Sequence, residues 1–271
     1  MRILQWDREG VSAFPGLPSV DRRLFIPETV WVVRDGRFVT LTRADEPEEW
    51  ERVVAADEPI ATKVKDGMWP TSSSTGPSMM ARMIAALCVE SDMRVLEIGT
   101  GTGYNAACLA ELGAFVVTVE VDPEVAEHAR GALRAAGLPG VVVISGDGEA
   151  GAPSHAPFDR VIATAAAHTV PYAWVEQTKP GGLIVVPWAA TFHPDGPLAV
   201  LTVGTDGTAE GRFTEPSWFM PLHGQRLPQT VLHETRERWE AAGEPDVSRY
   251  GITVRPDGQS VWLDEPGTVV R

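Results

Sequence analysis

Three glycines and a carboxylate in one short run, VLEIGTGTGYN from Val95 to Asn105, are the residues of this chain best suited to hold a nucleotide-like ligand. Glycine is needed where backbone takes a positive φ or lies against a ligand, and a following helix offers unpaired N–H groups at its start. Gly99, Gly101 and Gly103 meet the first need, Thr100 and Asn105 accompany them, and Glu97 stands two residues before the first glycine. The dinucleotide fingerprint wants a glycine at the sixth position, where this chain has Tyr104, so an NAD-type site is set aside. A second carboxylate, Glu120, ends the next apolar run just before Val121. An acidic side chain at that point can accept hydrogen bonds from both hydroxyls of an adenosine ribose. A later run opens into Gly146-Asp147-Gly148, which alone reads as a β-turn.

The elements that must position these residues alternate along the chain. A helical pattern over 79–89 leads to a strand at 95–98, a helix at 105–112 and a strand at 116–119. A helix over 123–136 follows, with Pro123 early in it, then a strand at 141–144, a strand at 160–163 and a helix at 172–178. Pro180-Gly181-Gly182 reads as a turn before a strand at 183–187. This is α/β order, and it predicts a doubly wound, mostly parallel sheet whose ligand lies at the C-terminal ends of the strands. Apolar alternation broken by Asp35-Gly36 (30–41) and by Pro256-Asp257-Gly258 (252–263) predicts two flanking β-hairpins. The Glu- and Pro-rich stretches 45–51 and 240–246 read as solvated connections.

Composition narrows the function classes. The chain has 271 residues, a formal net charge of −14 and no basic run, which argues against a phosphate-backbone partner. No apolar run of about 18 residues is present, so no membrane span is expected, and charged residues near the N-terminus argue against a signal peptide. Cys88 and Cys108 lie in apolar helical stretches without CxxC pairing, which predicts buried free thiols and a cytoplasmic setting. The six histidines show no metal-ligand spacing, no GxSxG elbow occurs, and His168 reads as a surface-loop residue near the expected substrate mouth.

The glycine run resembles motif I of S-adenosylmethionine-dependent methyltransferases, and the segment from Gly146 to Trp188 resembles one family of them. GDG at 146–148, APFD at 156–159, TAAA at 164–167, Pro171, Gln177, Gly181-Gly182 and Pro187 are similar in order to the protein-L-isoaspartate O-methyltransferase family. VDRRLFIPE (20–28) and FMPLHG (219–224) resemble that family's opening and closing motifs, so the likeness runs over 17–224 with interruptions. The resemblance implies a Rossmann-like class I S-adenosylmethionine-dependent methyltransferase and a carboxyl O-methyl transfer. It implies a cofactor set of Glu97, Gly99, Thr100, Gly101, Gly103, Asn105, Glu120, Val121, Asp147, Gly148 and Thr164, with S-adenosyl-L-homocysteine as product. Glu97 would face the ammonium or a bridging water, Glu120 the ribose, and Asp147 with Gly148 the adenine edge. Asp159 is as well explained as a cap or turn residue as by a ligand contact. Domains are expected at 1–60, 61–224 and 225–271: an N-terminal segment with an inserted hairpin, the methyltransferase core, and an extension with a helix and hairpin.

The acceptor side departs from the family. Where its members carry a QTIS-like segment, this chain has SSSTGPSMMA over 72–81, and aligning Pro77 and Met79 puts Thr75 at the family's Ser and Ser73 at its Thr. A carboxylate is already an anion at neutral pH, so methylating it is a problem of positioning rather than of acid–base chemistry. Ser73, Ser74 and Thr75 are therefore the expected catalytic residues, while Ser72 and Ser78 are read as parts of a Ser-rich loop and helix N-cap. An insertion after Trp31, the stretch VKDGMWPT and the tail 225–271 resemble a divergent branch tied to ribosomally synthesised peptides. That likeness favours methylation of an aspartyl side chain in a graspetide, lanthipeptide or lasso precursor, closing to aspartimide. Repair of isoaspartyl residues in damaged proteins is the first alternative, and a cofactor-binding module without transfer is the second.

Overall fold

The computed structural model describes residues 14, 16–228 and 230–270. In chain order the first elements are β1 (Thr29–Arg34), β2 (Arg37–Thr42), α1 (Pro47–Ala55), β3 (Ile60–Lys65), β4 (Trp69–Ser74) and α2 (Pro77–Leu87). Then come β5 (Arg94–Ile98), α3 (Tyr104–Glu111), β6 (Phe115–Glu120), α4 (Pro123–Ala135), β7 (Val142–Ser145), β8 (Phe158–Ala163), α5 (Tyr172–Glu176) and β9 (Thr178–Pro187). The chain closes with β10 (Pro197–Val203), β11 (Ala209–Pro216), α6 (Thr230–Ala241), β12 (Tyr250–Arg255) and β13 (Gly258–Leu263). Two compact units result: Met1–Asp92 with Thr100–Gly146, and Met93–Gly99 with Asp147–Arg271.

The first unit carries an antiparallel sheet in the order β2-β1-β3-β4 and a parallel pair β6–β7. The hairpin expected at Asp35-Gly36 is β1–β2, with Arg34 opposite Arg37 and Thr29 opposite Thr42. Residues 45–51, expected as a solvated connection, instead begin α1: Pro47 opens it, Glu48 and Glu49 favour its positive end, and Trp50 and Val54 turn inward. Those two pack with Ile26, Val30, Leu41 and Ile60 in a core of their own, each buried side chain contributing about 1.5–3 kcal/mol. The serines also differ from expectation. Ser72, Ser73 and Ser74 belong to strand β4, and the N-cap of α2 is Gly76, which makes no side-chain capping bond. The α4 cap is Asp122, whose carboxylate accepts the N–H groups of Glu124 and Val125.

The second unit is a mixed sheet in the order β13-β12-β11-β10-β9-β8-β5. β5, β8 and β9 run parallel, and β10 to β13 continue the sheet antiparallel. The hairpin at Asp257-Gly258 thus forms as β12–β13 and extends the sheet through β11. The predicted turn at Pro180-Gly181-Gly182 lies inside β9, where the pairing with β8 shifts register between Phe158 and Arg160. A Cβ at Gly182 would stand 2.8 Å from the Asp159 carbonyl, so glycine allows the strands to approach there. Glu240 and Ala241 end α6 rather than a connection. Both cysteines are free as expected, yet only Cys108 is buried; Cys88 is exposed because it is the left-handed residue, φ 51°, that closes α2.

Asp159 anchors the start of β5 to β8 and β9. Its carboxylate accepts the Arg94 N–H at 2.8 Å and the Lys179 ammonium at 2.6 Å. Burial pushes this carboxyl up, but Lys179 and the Arg94 N–H override it, so it is held below the usual carboxylate value of 3.8. A folded-state pKa below the unfolded one contributes stability that is complete above about pH 4 and is lost as pH falls through the folded value. Asp159→Asn should therefore be less stable than wild type at neutral pH and lose less on acidification. Urea midpoints taken stepwise from pH 7 to pH 3 check this; parallel curves would contradict it.

Candidate functional site

The glycine segment begins where β5 ends, and its first half belongs to the second unit. Gly99 has φ 92°, and a Cβ there would stand 2.7 Å from Thr164 Oγ1. That hydroxyl donates to the Gly99 carbonyl at 2.5 Å, and the Thr164 N–H donates to the Ile98 carbonyl at 2.8 Å. Thr164 thus holds the shape of the glycine turn. Glu97, fully buried on β5, lies opposite Ile162 of β8. Asp147 Oδ1 accepts the Glu149 N–H at 3.0 Å and caps a single helical turn, leaving its second oxygen for other partners. Gly148 is fixed by Trp174, whose indole donates to its carbonyl at 2.8 Å, and a Cβ at Gly148 would meet Ile98 Cγ2 at 2.6 Å.

Two amide side chains complete the loops of this unit. Gln177 accepts the Ala152 N–H and donates to the Ala150 carbonyl, both at 2.8 Å, clasping the segment just past Gly148. Gln225 accepts the N–H groups of His168 and Thr169 and donates to the Thr169 carbonyl. On β13, Gln259 donates to the His168 carbonyl and accepts the Val170 N–H, so the C-terminal hairpin braces the loop after β8. His168 is half-buried in that brace, with its ring 3.2 Å from Thr169 Oγ1.

The rest of the glycine segment lies in the first unit. Gly101 has φ 53°, its N–H donates to Glu120 Oε2 at 2.9 Å, and a Cβ there would come within 3.3 Å of the Ser73 carbonyl. Thr100 is buried with its hydroxyl 2.7 Å from that of Thr118. Gly103 is the N-cap of α3, and Asn105 lies in that helix's first turn, buried. Tyr104 explains why the sixth position is no glycine: it is buried against Phe25 at 5.7 Å, and burial pushes its phenol well up. Val121 is exposed just beyond β6.

Glu120 presents the pair of acceptor oxygens that a ribose diol requires. Its Oε1 accepts the Asp122 N–H at 3.1 Å and its Oε2 the Gly101 N–H. A carboxylate offers about four lone-pair positions, so each oxygen keeps capacity for one hydroxyl. The pre-set backbone donors also hold the group in one orientation at 8% exposure. These residues fit an adenosine cofactor. Among the described residues no cluster of His, Cys, Asp or Glu could hold a metal ion, and no helix is long and apolar enough to cross a membrane.

The acceptor residues are placed unequally. Ser74 is 3% exposed, and its hydroxyl faces the guanidinium of Arg22 at 3.3 Å, a bracing contact rather than an open carboxylate-binding position. Ser72 is buried too and accepts from the Thr62 hydroxyl at 3.0 Å. Strand alternation sends Ser73 to the opposite face, and Ser73 and Thr75 remain partly exposed. Ser78 bonds Asp57 through both its N–H and its hydroxyl.

Arg22 is the residue that sequence reasoning missed. It donates to the carbonyls of Val54, Ala56, Glu58 and Thr75 at 3.0–3.2 Å while only 1% exposed. Burial lowers its pKa to about 10, so it stays charged at neutral pH. The available signal was its place in VDRRLFIPE, within the resemblance already noted.

The fold and these loops define a class I S-adenosylmethionine-dependent methyltransferase. A solved protein-L-isoaspartate O-methyltransferase superposes with a TM-score of 0.64 at 19% identity, over 79% of this chain and 89% of that one. A Plasmodium falciparum chain described as a candidate member of that family, solved with S-adenosyl-L-homocysteine, gives 0.52 at 17% identity over 64% and 83%. The model of the protein-L-isoaspartate(D-aspartate) O-methyltransferase family matches residues 47–227. The chain is 38% identical to the Gloeobacter violaceus protein-L-isoaspartate O-methyltransferase over 65% of its own length and 82% of the relative's. It is also 38% identical to the Aeropyrum pernix one, over 71% and 70%. The chain belongs to the protein-L-isoaspartate(D-aspartate) O-methyltransferase family; it is an enzyme whose methyl donor is S-adenosylmethionine. These relatives are named for an isoaspartyl acceptor, and neither name mentions an aspartyl precursor peptide.

Proposed function

We propose that this enzyme methylates the free carboxylate of isoaspartyl residues in polypeptides, the ester then closing to a succinimide. The observation that carries the reading is the family match over 47–227, which takes in β4, the glycine segment, Glu120 and the Gly146–Gly148 turn. S-adenosylmethionine supplies an electrophilic methyl group that a carboxylate accepts without help from a general base. The chain's task is then orientation, which can contribute up to about 7–11 kcal/mol. In this reading Glu120 holds the ribose, Asp147 and Gly148 hold the adenine edge, and Gly99, Gly101 and Gly103 admit the remainder. Glu97, Thr100, Asn105, Val121 and Thr164 complete the cofactor set. Ser73 and Thr75 orient the acceptor carboxylate, with Ser74 holding their strand in place. The region 61–224 is the methyltransferase core, and 1–60 and 225–271 are additions to it. A cytoplasmic location, with no nucleic-acid or membrane partner, accords with the net charge of −14 and belongs to the same proposal.

A second reading, methylation of an aspartyl side chain in a constrained, ribosomally made peptide, draws on one observation. Hairpins β1–β2 and β12–β13 both lie outside residues 47–227. Two peptides differing only in isoaspartate or aspartate at one position separate the readings when incubated with methyl-labelled cofactor. Base-labile label on the isoaspartyl peptide alone is expected, and label on the aspartyl peptide alone would overturn the proposal. Thr75→Val should keep the affinity for S-adenosyl-L-homocysteine within about twofold while lowering kcat/KM by roughly tenfold, the worth of one positioning hydrogen bond. Unchanged turnover in a steady-state assay would remove Thr75 from the acceptor site.

A further inference from the structure

Lys63, on β3, reaches across to the start of α4. Its ammonium lies 2.6 Å from Asp122 Oδ2 and 2.8 Å from Glu124 Oε2. Asp122 is engaged on every side: Oδ1 accepts the N–H groups of Glu124 and Val125, and its own N–H donates to Glu120 Oε1. Glu120 in turn holds the Gly101 N–H. One ammonium thus pairs with the carboxylates at 122 and 124, and a continuous path through Asp122 and its N–H joins hairpin β3–β4 to the carboxylate of Glu120. A cavity of about 180 Å³ opens beside this path, lined by Thr62, Lys63, Ser72, Thr102, Glu124 and His128 among others. Hairpin β3–β4 also carries the serines of the acceptor side.

We propose that Lys63 is a positioning residue: by tying hairpin β3–β4 to Asp122 it fixes Glu120 for the ribose and couples the acceptor strand to cofactor affinity. The inference rests on the cofactor reading above. Without the ammonium, Asp122 and Glu124 repel each other across the first turn of α4. The Asp122 backbone, whose N–H orients Glu120, is then released from its fixed position. Partners on both sides are tuned to this arrangement. The two carboxylates raise the Lys63 pKa, and at Asp122 the upward push of burial is outweighed by Lys63 and the two capping N–H groups. The bridge is partly exposed, so its effect is modest and sensitive to salt.

Titration calorimetry with S-adenosyl-L-homocysteine on the full chain tests the role without needing an acceptor. Lys63→Met should weaken binding about fivefold at low salt, Lys63→Arg should restore it to within about twofold, and the gap between Met variant and wild type should narrow in high salt. Thermal midpoints measured alongside separate this from simple unfolding. Wild-type affinity in the Met variant would overturn the role, as would a loss matched by a lowered midpoint that Lys63→Arg does not repair. Absence of binding by wild type would overturn the cofactor reading itself, and the inference with it.

Discussion

Replacing Arg22 with methionine is expected to lower the stability of the protein by about 3–5 kcal/mol and its Tm by roughly ten degrees. Methionine can fill the space of the aliphatic stem, but it supplies none of the five N–H donors of the guanidinium. The carbonyls of Val54, Ala56, Glu58 and Thr75 would lose the donor they share, and leaving a buried acceptor unsatisfied costs about 1–3 kcal/mol. Partial relaxation toward water keeps the total below the sum of these costs. Arg22 gathers the end of α1, the start of β3 and the end of β4, so the consequence extends to the acceptor strand. Surviving Arg22→Met protein should show a raised KM for the acceptor peptide. Urea unfolding checks the stability, and a loss below about 1 kcal/mol would show that the carbonyls find water or other donors.

The second large effect is expected at Glu120. Under the proposed ribose placement, Glu120→Ala removes two charge-assisted hydrogen bonds, each worth about 1.5–3 kcal/mol. It also frees the Gly101 N–H that Glu120 holds at 2.9 Å. The affinity for S-adenosyl-L-homocysteine should fall by roughly a hundredfold or more. Glu120→Gln retains an acceptor oxygen and a similar shape, so it should fall between the two. Calorimetry on the three proteins measures this, and a loss of less than about fivefold for the alanine variant would place the ribose elsewhere.

Much of the α/β core was legible because its signals are local. Apolar runs at 95–98 and 116–119 have strand spacing, Pro123 follows the capping Asp122, and the glycines fall where positive φ is used. The two hairpins were legible from Asp35-Gly36 and Asp257-Gly258. Hairpin β3–β4 was not, although Asp66-Gly67 marks its turn: Lys63, Lys65 and the run Thr71 to Ser74 make its strands more polar, and Pro70 disfavours a strand reading. β4 is an edge strand, which is where a proline is tolerated. Helix α1 was hidden because its acidic first turn resembles a linker, and only packing against Val30, Leu41 and Ile60 reveals why Trp50 and Val54 recur at helical spacing.

The site was legible in its residue types more than in their partners. Gly99, Gly101 and Glu120 could be chosen from sequence, since each answers a backbone or ligand requirement that few residues meet. The burial of Ser74 and the brace at Arg22 could not, because an arginine is ordinarily exposed and its carbonyl partners are scattered over residues 54–75. Thr164 was chosen for the ligand, yet its hydroxyl holds the Gly99 carbonyl. Such second contacts arise from the strand register of β5 and β8, which sequence spacing does not specify.

Methylation of the isoaspartyl carboxylate is tested most directly by a mass-spectrometric time course on a synthetic isoaspartyl peptide incubated with enzyme and S-adenosylmethionine. A species heavier by one methyl ester is expected first, then one that has lost methanol to become the succinimide, then recovery of the starting mass with normal aspartate in part of the product. A peptide that stays unmodified with cofactor present, while an aspartyl peptide gains the methyl ester, would contradict that activity.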